Sequence, residues 1–465
     1  MNLLFCYTHI HIWLPIDTVA RRLCDRGHTV SVLLDWRKNR RFANQFIFDC
    51  KAAPYRVGWL TPRRDPLGKI LSVTRELINY RAYLTVRQPT SPALVERWRN
   101  FLPRRFWRPA ARYSAVKKLL CTDSAFRILR FLESTSPPSR AILRELEQLK
   151  PDAIVAAYTI LQYSREVEYL KAARSLGIPT AVVIPSWDNL TTKGTIQIVP
   201  DRLFVWNRIQ VREAVQLHGM AEEQIICTGA PRYDAWFSMK PTLSREAFCQ
   251  HIGLIPPRQF LVYLCSSEFI AGDETAFIRE FAEALTHCEG LKPDKFALLV
   301  RPHPQNLKFW REFSVPSGNV VVWPTDLNQI DDMGKMQQDL YHTLLYGSGV
   351  VGINTSAFIE AAVVDRPCIA LATDRYHYTQ LGIPHFQYLL DAGFLEVPTR
   401  LDETVQVVRE LLQGKDSRSA KRRQFVRDFV RPCGIETPAS QVMTDAIEAL
   451  AALNRSSLSC GLSKS

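Results

Sequence analysis

Short apolar runs recur along this chain, and almost every one is followed by enough helical sequence to carry the backbone back across a sheet. Residues 2–7 read as a strand, Asp17 to Arg26 as a helix stopped by Gly27, and Thr29 to Leu34 as a second strand. The alternation returns at Ala153 to Ala157, Thr180 to Pro185, Leu203 to Trp206 and Gln224 to Cys227. After a polar link near Lys240 to Pro257 it restarts with Phe260 to Cys265, Phe296 to Val300, Val320 to Val322, Val350 to Ile353 and Cys368 to Leu371. Strands joined by helical crossovers must lie parallel, since an antiparallel neighbour needs only a tight turn. The expected class is therefore α/β with two Rossmann-like parallel sheets, and 465 residues suit two domains of roughly 200 residues each. The predicted divisions are 1–238, 239–435 and a closing helix and tail over 436–465, with a serine-rich, frayed last dozen residues.

Open parallel sheets bind ligands beyond the carboxyl ends of their strands, which places the expected cleft between the two domains. One such end is Asn354-Thr355-Ser356, between the apolar run Val350 to Ile353 and a helix starting near Ala357. Hydroxyl and amide donors there would join unpaired backbone N–H groups and the positive end of the helix dipole, a site for phosphate. A second is Arg301-Pro302-His303-Pro304, which ends the run Phe296 to Val300 with two potential cations beside prolines that cannot continue a ladder. Thr355 and Ser356 could equally cap the helix alone, and His303 could bond a neighbouring carbonyl.

Taken in order, Thr228-Gly229-Ala230-Pro231-Arg232-Tyr233-Asp234, Arg301-Pro302-His303-Pro304, and Thr355-Ser356 with Glu360 and Arg366-Pro367 resemble the motifs of the GT-B superfamily of sugar-nucleotide glycosyltransferases. Within it they are most similar to the branch of CDP-glycerol glycerophosphotransferases and capsule-polysaccharide transferases. The resemblance implies a GT-B fold, two domains facing each other across a cleft, with the nucleotide donor in the C-terminal domain and the acceptor in the N-terminal one. It implies that His303, Thr355 and Ser356 contact donor phosphates, with Arg301 and Asn354 beside them, and that Glu360 meets the ribose hydroxyls. Arg232 would touch donor phosphate or pair with Asp234, and Glu360 could instead be a surface acid or part of a capping pair.

For the base that deprotonates an acceptor hydroxyl there are two sources. His9 and His11 precede the first helix, where many GT-B enzymes carry a catalytic histidine; both could also merely line a strand end. Ser186-Trp187-Asp188-Asn189 resembles the W-H-G-T segment of glycerophosphotransferases, with Asp188 in the place of the histidine. That favours sugar transfer over glycerophosphate transfer, and an Asx turn is the structural alternative for Asp188. Lys193 is a further possible phosphate contact. No D-x-D triplet occurs, so leaving-group stabilisation without a metal or other cofactor is expected.

A surplus of 59 Lys and Arg over 46 Asp and Glu, net +13, favours anionic partners. Eleven scattered cysteines without a C-x-x-C pair argue against a zinc site or a disulfide framework and for a cytoplasmic setting. No apolar run reaches the roughly 20 residues that cross a bilayer, and the first residues lack a signal-peptide pattern. Residues 97–118 combine Arg, Lys, Trp and Phe without one acid. They read as a lipid-facing insertion loop with four exposed aromatic rings, peripheral on the inner face of an anionic membrane; single-stranded nucleic acid is the less favoured partner. The leading expectation is a transferase of sugar from a nucleotide-sugar donor to a polysaccharide or glycolipid acceptor. A polyol-phosphate transferase, a non-hydrolysing sugar-nucleotide 2-epimerase and a non-catalytic nucleotide-binding protein stand as alternatives.

Overall fold

Every residue of β1 (Asn2–Tyr7) after the first is buried, as an interior strand of a parallel sheet requires. Leu3, Phe5 and Tyr7 enter one core layer, and Leu4 and Cys6 enter the layer on the other face. Each large side chain so buried contributes on the order of 2 kcal/mol. The computed structural model describes residues 1–13, 16–39, 53–87, 91–157, 160–255, 258–288, 291, 294–316, 318–326 and 333–462.

The chain forms two compact units, Met1–Asp234 with Asp428–Ser465, and Ala235–Arg427. In the first, β1 is followed by β2 (Thr29–Leu34), β3 (Arg56–Trp59), β4 (Ala153–Ala157), β5 (Thr180–Val183), β6 (Arg202–Val205) and β7 (Ile225–Cys227). They pair in the order β3-β2-β1-β4-β5-β6-β7, all parallel. The order reverses between β1 and β4, which makes that pair the switch point. In the second unit β8 (Gln259–Leu264), β9 (Phe296–Arg301), β10 (Val320–Val322), β11 (Val350–Gly352), β12 (Cys368–Ala370) and β13 (Leu395–Glu396) pair in the order β10-β9-β8-β11-β12-β13, again all parallel. Its switch point lies between β8 and β11.

The first unit is finished by the end of the chain. The helix Ala439–Leu462 lays Met443, Ile447 and Leu450 into the core layer that holds Phe5 and Val19. Asp234 fixes its start: one carboxylate oxygen accepts from the Ala439 N–H at 3.0 Å and from Arg431 at 3.0 Å, the other from the Ser440 N–H at 2.8 Å. Gly229, at φ +81°, lets the returning chain pass; a Cβ there would stand 3.0 Å from the Val430 oxygen and from the Ala439 methyl. Asp234 thus pairs with Arg431 rather than with Arg232, whose guanidinium lies over the Tyr233 ring.

Two expectations change here. The serine-rich stretch continues the last helix as far as Leu462 instead of fraying after residue 453, since serine costs little in a helix already nucleated by packing. The basic aromatic segment is helical, spanning Pro92–Phe101, Trp107–Ala110 and Ser114–Cys121, because Pro92 and Pro109 sit in first turns and Pro103 falls between helices. Trp98 is buried, stacked on Tyr83 at 5.3 Å and donating to the Thr192 carbonyl at 3.1 Å, so it anchors the insertion.

Replacing Asp234 by alanine would leave the buried Arg431 guanidinium without this carboxylate and uncap the last helix. A loss of about 3 kcal/mol is expected, read as a lower urea midpoint for the first unit; an unchanged midpoint would refute the anchoring role.

Candidate functional site

Parallel pairing sends the loops after β8, β9, β11 and β12 to one edge of the second sheet. β9 and β11 flank β8, so their ends lie about 10 Å apart, two strand spacings. There the structure brings His303 together with Asn354, Thr355 and Ser356. Asn306, after β9, donates to the Ser266 carbonyl at 3.0 Å and to the Ala271 carbonyl at 3.1 Å, binding that loop to the one after β8. Gln380 does the same between β11 and β12, donating to the oxygens of Ile353 at 2.6 Å and Leu371 at 2.9 Å. The Asn354 amide donates to the Thr379 carbonyl at 3.0 Å. Glu274 holds the β8 loop from beneath, accepting from Tyr263 Oη at 2.9 Å and from the Ser266 N–H at 2.9 Å. Burial pushes the Glu274 carboxyl up to about 7.

Buried polar atoms with no protein partner among the described residues gather at this edge: Ser266 Oγ, Asn306 Oδ1, Thr373 Oγ1, Tyr376 Oη and Gln380 Oε1. An unmet buried donor or acceptor costs about 1–3 kcal/mol, so such a concentration marks a place where a polar ligand or water completes the bonding. None of these five residues, nor Glu274, carried a motif in the sequence. Gln380 stands 24 residues beyond Ser356 by their numbering and reaches the edge only through the fold.

The individual roles shift from those expected. Arg301 ends β9 as a buried residue paired with Asp339, and it donates to Thr343 Oγ1 at 3.1 Å. Its charge is committed inside the unit, so it does not supply the anion contact. His303, two residues on, is half-buried; its Nδ1 accepts from the Gln305 N–H at 3.2 Å, which leaves Nε2–H as the ring's donor. Desolvation lowers its pKa and favours that neutral form. Thr355 makes the cap bond, accepting from the Ala357 N–H at 3.3 Å, whereas Ser356 is exposed and makes no side-chain cap bond to the helix Ala357–Val363. Glu360 lies one turn further and is buried.

In the first unit the candidates also share one edge, though less tightly. His9 follows β1, and His11 lies in the turn Ile10–Trp13, its side chain outside the described residues. Asp188 and Lys193 follow β5, two strands away. Asp188 accepts from Ser186 Oγ at 2.6 Å, Asn189 Nδ2 at 3.1 Å and Thr192 Oγ1 at 2.8 Å. Both oxygens are engaged in shaping the turn before the helix Asn189–Thr192, which is the Asx-type role. Desolvation lowers the Lys193 pKa, and Asp188 partly opposes it.

Sequence reasoning missed a polar cavity of about 600 Å³ at this edge, lined by the loops after β2, β3 and β4 and by the first turns of the helix Pro66–Leu84. Glu76 is on its wall, buried, accepting from the Tyr163 N–H at 2.7 Å, with its carboxyl pushed up to about 7 by desolvation. The helices of the insertion expose Phe106, Tyr113, Leu119, Ile128 and Phe131 beside exposed Arg104, Arg105, Arg112, Lys118 and Arg127. Among the described residues, no helix is long and apolar enough to cross a membrane.

No family model matches the sequence, and no curated protein matches it either. Solved structures do match. The UDP-GlcNAc 2-epimerase from Neisseria meningitidis bound to UDP-GlcNAc is similar over 96% of this chain and 100% of its own, with 12% identity and a TM-score of 0.54. The UDP-GlcNAc 2-epimerase from Methanocaldococcus jannaschii is similar over 96% and 100%, with 12% identity and a TM-score of 0.52. A glycosyltransferase from Rickettsia africae is similar over 97% and 98%, with 10% identity and a TM-score of 0.51. These likenesses show the fold: two Rossmann-like parallel-sheet units of the GT-B type.

Arg301→Ala strands the buried Asp339 and is expected to lower stability by about 3 kcal/mol, whereas His303→Ala should stay within about 0.5 kcal/mol; calorimetry of both variants decides. Glu274 gives a pH signature. Its folded pKa, about 7, lies above the ordinary 4.5, so its contribution is full below about 4.5 and is lost as pH rises through 7. Relative to the native chain, Glu274→Gln should therefore gain stability between pH 5 and pH 8, on the order of 3 kcal/mol; parallel pH profiles of the two melting temperatures would refute it.

Proposed function

We propose that this protein is an enzyme of sugar-nucleotide chemistry, and specifically a glycosyltransferase that moves a sugar from a nucleotide-linked donor to a carbohydrate or lipid-linked acceptor. The observation that carries the reading is the edge of the second sheet, where His303, Asn354, Thr355 and Ser356 meet a concentration of unpartnered buried polar atoms. Two structures similar to this chain are named for UDP-GlcNAc, one of them bound to it. On this reading the second unit takes the nucleotide. Neutral His303 donates through Nε2, and the Ser356 hydroxyl and the backbone N–H groups after β11 face the phosphates, so charge on the departing phosphate is met by oriented dipoles rather than by Arg301.

The acceptor belongs to the first unit. His11 remains a base by position alone, beside the β1/β4 switch point, while Glu76 offers a carboxyl whose pKa sits near working pH. Asp188 is not proposed as the base, because three donors already hold its carboxylate in the turn. For the same reason transfer of glycerophosphate, which the resemblance ties to a histidine in that place, is not favoured.

A second reading, a 2-epimerase of a nucleotide sugar, is favoured by the named likenesses and needs no acceptor. The exposed rings and cations of the insertion support binding to an anionic membrane surface, rings at the interface and cations at headgroups.

Incubation with UDP-, CDP-, GDP- and dTDP-sugars tests both readings. Slow donor hydrolysis or transfer, reduced at least tenfold in His303→Ala, supports a transferase. Interconversion of the sugar without acceptor supports the epimerase, and binding of no nucleotide refutes both. Co-sedimentation with phosphatidylglycerol but not phosphatidylcholine vesicles, weakened about tenfold by the pair Phe106→Ser and Phe131→Ser, is expected for the membrane surface; equal binding to both lipids would remove it.

A further inference from the structure

The cavity of the first unit has an unusual charge arrangement. Ion pairs run along its wall and just behind it. Arg63 binds Asp65 at 2.9 Å and Glu168 at 2.9 Å, Arg75 binds Glu168 and Glu133 at 2.7 Å each, Lys171 approaches Glu133 at 3.3 Å, and Arg165 binds Asp35 at 3.1 Å. Four cations, Arg63, Arg75, Arg165 and Lys171, thereby meet four carboxylates, Asp35, Asp65, Glu133 and Glu168; Arg165 and Asp35 form a separate pair, and only Glu133 and Lys171 lie outside the lining.

Three more cations line the same cavity outside that network. Arg37 comes from the loop after β2, Arg64 from the loop after β3, and Lys69 from the first turn of the helix Pro66–Leu84. All three are exposed, and among the described residues none of their side chains has an ion pair or hydrogen bond; the Arg37 backbone N–H donates to Asp35 Oδ1 at 2.9 Å. The cavity lining holds six cations, Arg37, Arg63, Arg64, Lys69, Arg75 and Arg165, against the four carboxyl groups of Asp35, Asp65, Glu76 and Glu168, so an excess of positive charge faces the void. A second observation is independent of charge. Gln197, only 3% exposed, lines the cavity; its amide nitrogen donates to Asn79 Oδ1 at 3.0 Å and to Thr195 Oγ1 at 3.1 Å, and its Oε1 is buried without a partner among the described residues. The start of a 19-residue helix adds the positive end of its dipole. The cavity, about 600 Å³, is within the range of small-ligand sites.

We propose that this cavity binds a phosphate group on the acceptor, with Arg37, Arg64 and Lys69 as its direct contacts and the paired Arg63, Glu168 and Arg75 as the rigid wall beside them. A phosphate carries close to two charges at neutral pH and presents several acceptor oxygens, which suits three cations from three separate segments and a helix start. A hydroxyl of a sugar phosphate would donate to Gln197 Oε1, since the amide nitrogen already donates to Asn79 and Thr195. That the bound molecule is an acceptor rests on the transferase reading; that the cavity holds a phosphate does not.

The test is calorimetric titration of the full chain, saturated with UDP, with glucose 6-phosphate as the soluble probe. A second arm uses phosphatidylcholine vesicles containing phosphatidic acid as the lipid-borne probe. The variant Arg64→Gln with Lys69→Gln changes two exposed side chains, and circular dichroism checks its fold. Glucose 6-phosphate binding that falls at least tenfold in the variant, with UDP affinity unchanged, supports the site and a soluble source. Variant-sensitive binding only to phosphatidic acid vesicles supports the site with a lipid source. Binding of neither probe, or binding equal in native and variant chains, overturns the proposal. If the native chain binds glucose 6-phosphate in this manner but turns over no nucleotide sugar, the transferase reading fails while the phosphate site stands.

Discussion

A parallel strand cannot be reached by a tight turn, and in this chain that one constraint decides where chemistry can be. Among the described residues each of the thirteen strands leaves its sheet at the same edge as its neighbours, so loops distant in sequence are gathered without any residue having been chosen for proximity. His303 and Ser356 share one edge because β9 and β11 both pair with β8. Arg37, Arg64 and Lys69 meet because β2 and β3 end side by side and the next helix begins there.

The architecture was legible because its signal is periodic and cumulative. Buried parallel strands need near-continuous apolar runs, and those of Phe5, Val155, Val262 and Val351 were read within a residue or two of their observed limits. Side-chain roles were less legible, since they depend on what another element presents. Arg301 in a strand-ending Arg-Pro-His-Pro looks like a phosphate ligand until Asp339 and Thr343 are seen on one face of the helix Met333–Tyr346. Their spacing of four was a signal that could have been weighed. Trp98 looked exposed among arginines, because nothing in its own segment reveals Tyr83 and the Thr192 carbonyl.

Buried carboxyl groups do much of the positioning. Glu166 receives the Thr8 N–H and hydroxyl together with the Ser164 hydroxyl, fixing the exit of β1, and Glu274 fixes the exit of β8 in the other unit. Both are pushed up to about 7 by desolvation. Each unit thus sets the first loop of its sheet with an acid that holds backbone and hydroxyl donors in place. Such a device fixes loop geometry more tightly than apolar packing, because hydrogen bonds are directional.

The first unit is built from both ends of the chain, with the whole of the second inserted between Asp234 and Asp428. Its core layer lacks Met443, Ile447 and Leu450 until those residues have been translated. A nascent chain emerging from the ribosome therefore completes the inserted unit while the earlier one still exposes an apolar sheet face. The order of maturation runs opposite to the usual N-terminal-first course, and chaperone demand during synthesis falls on the segment made first.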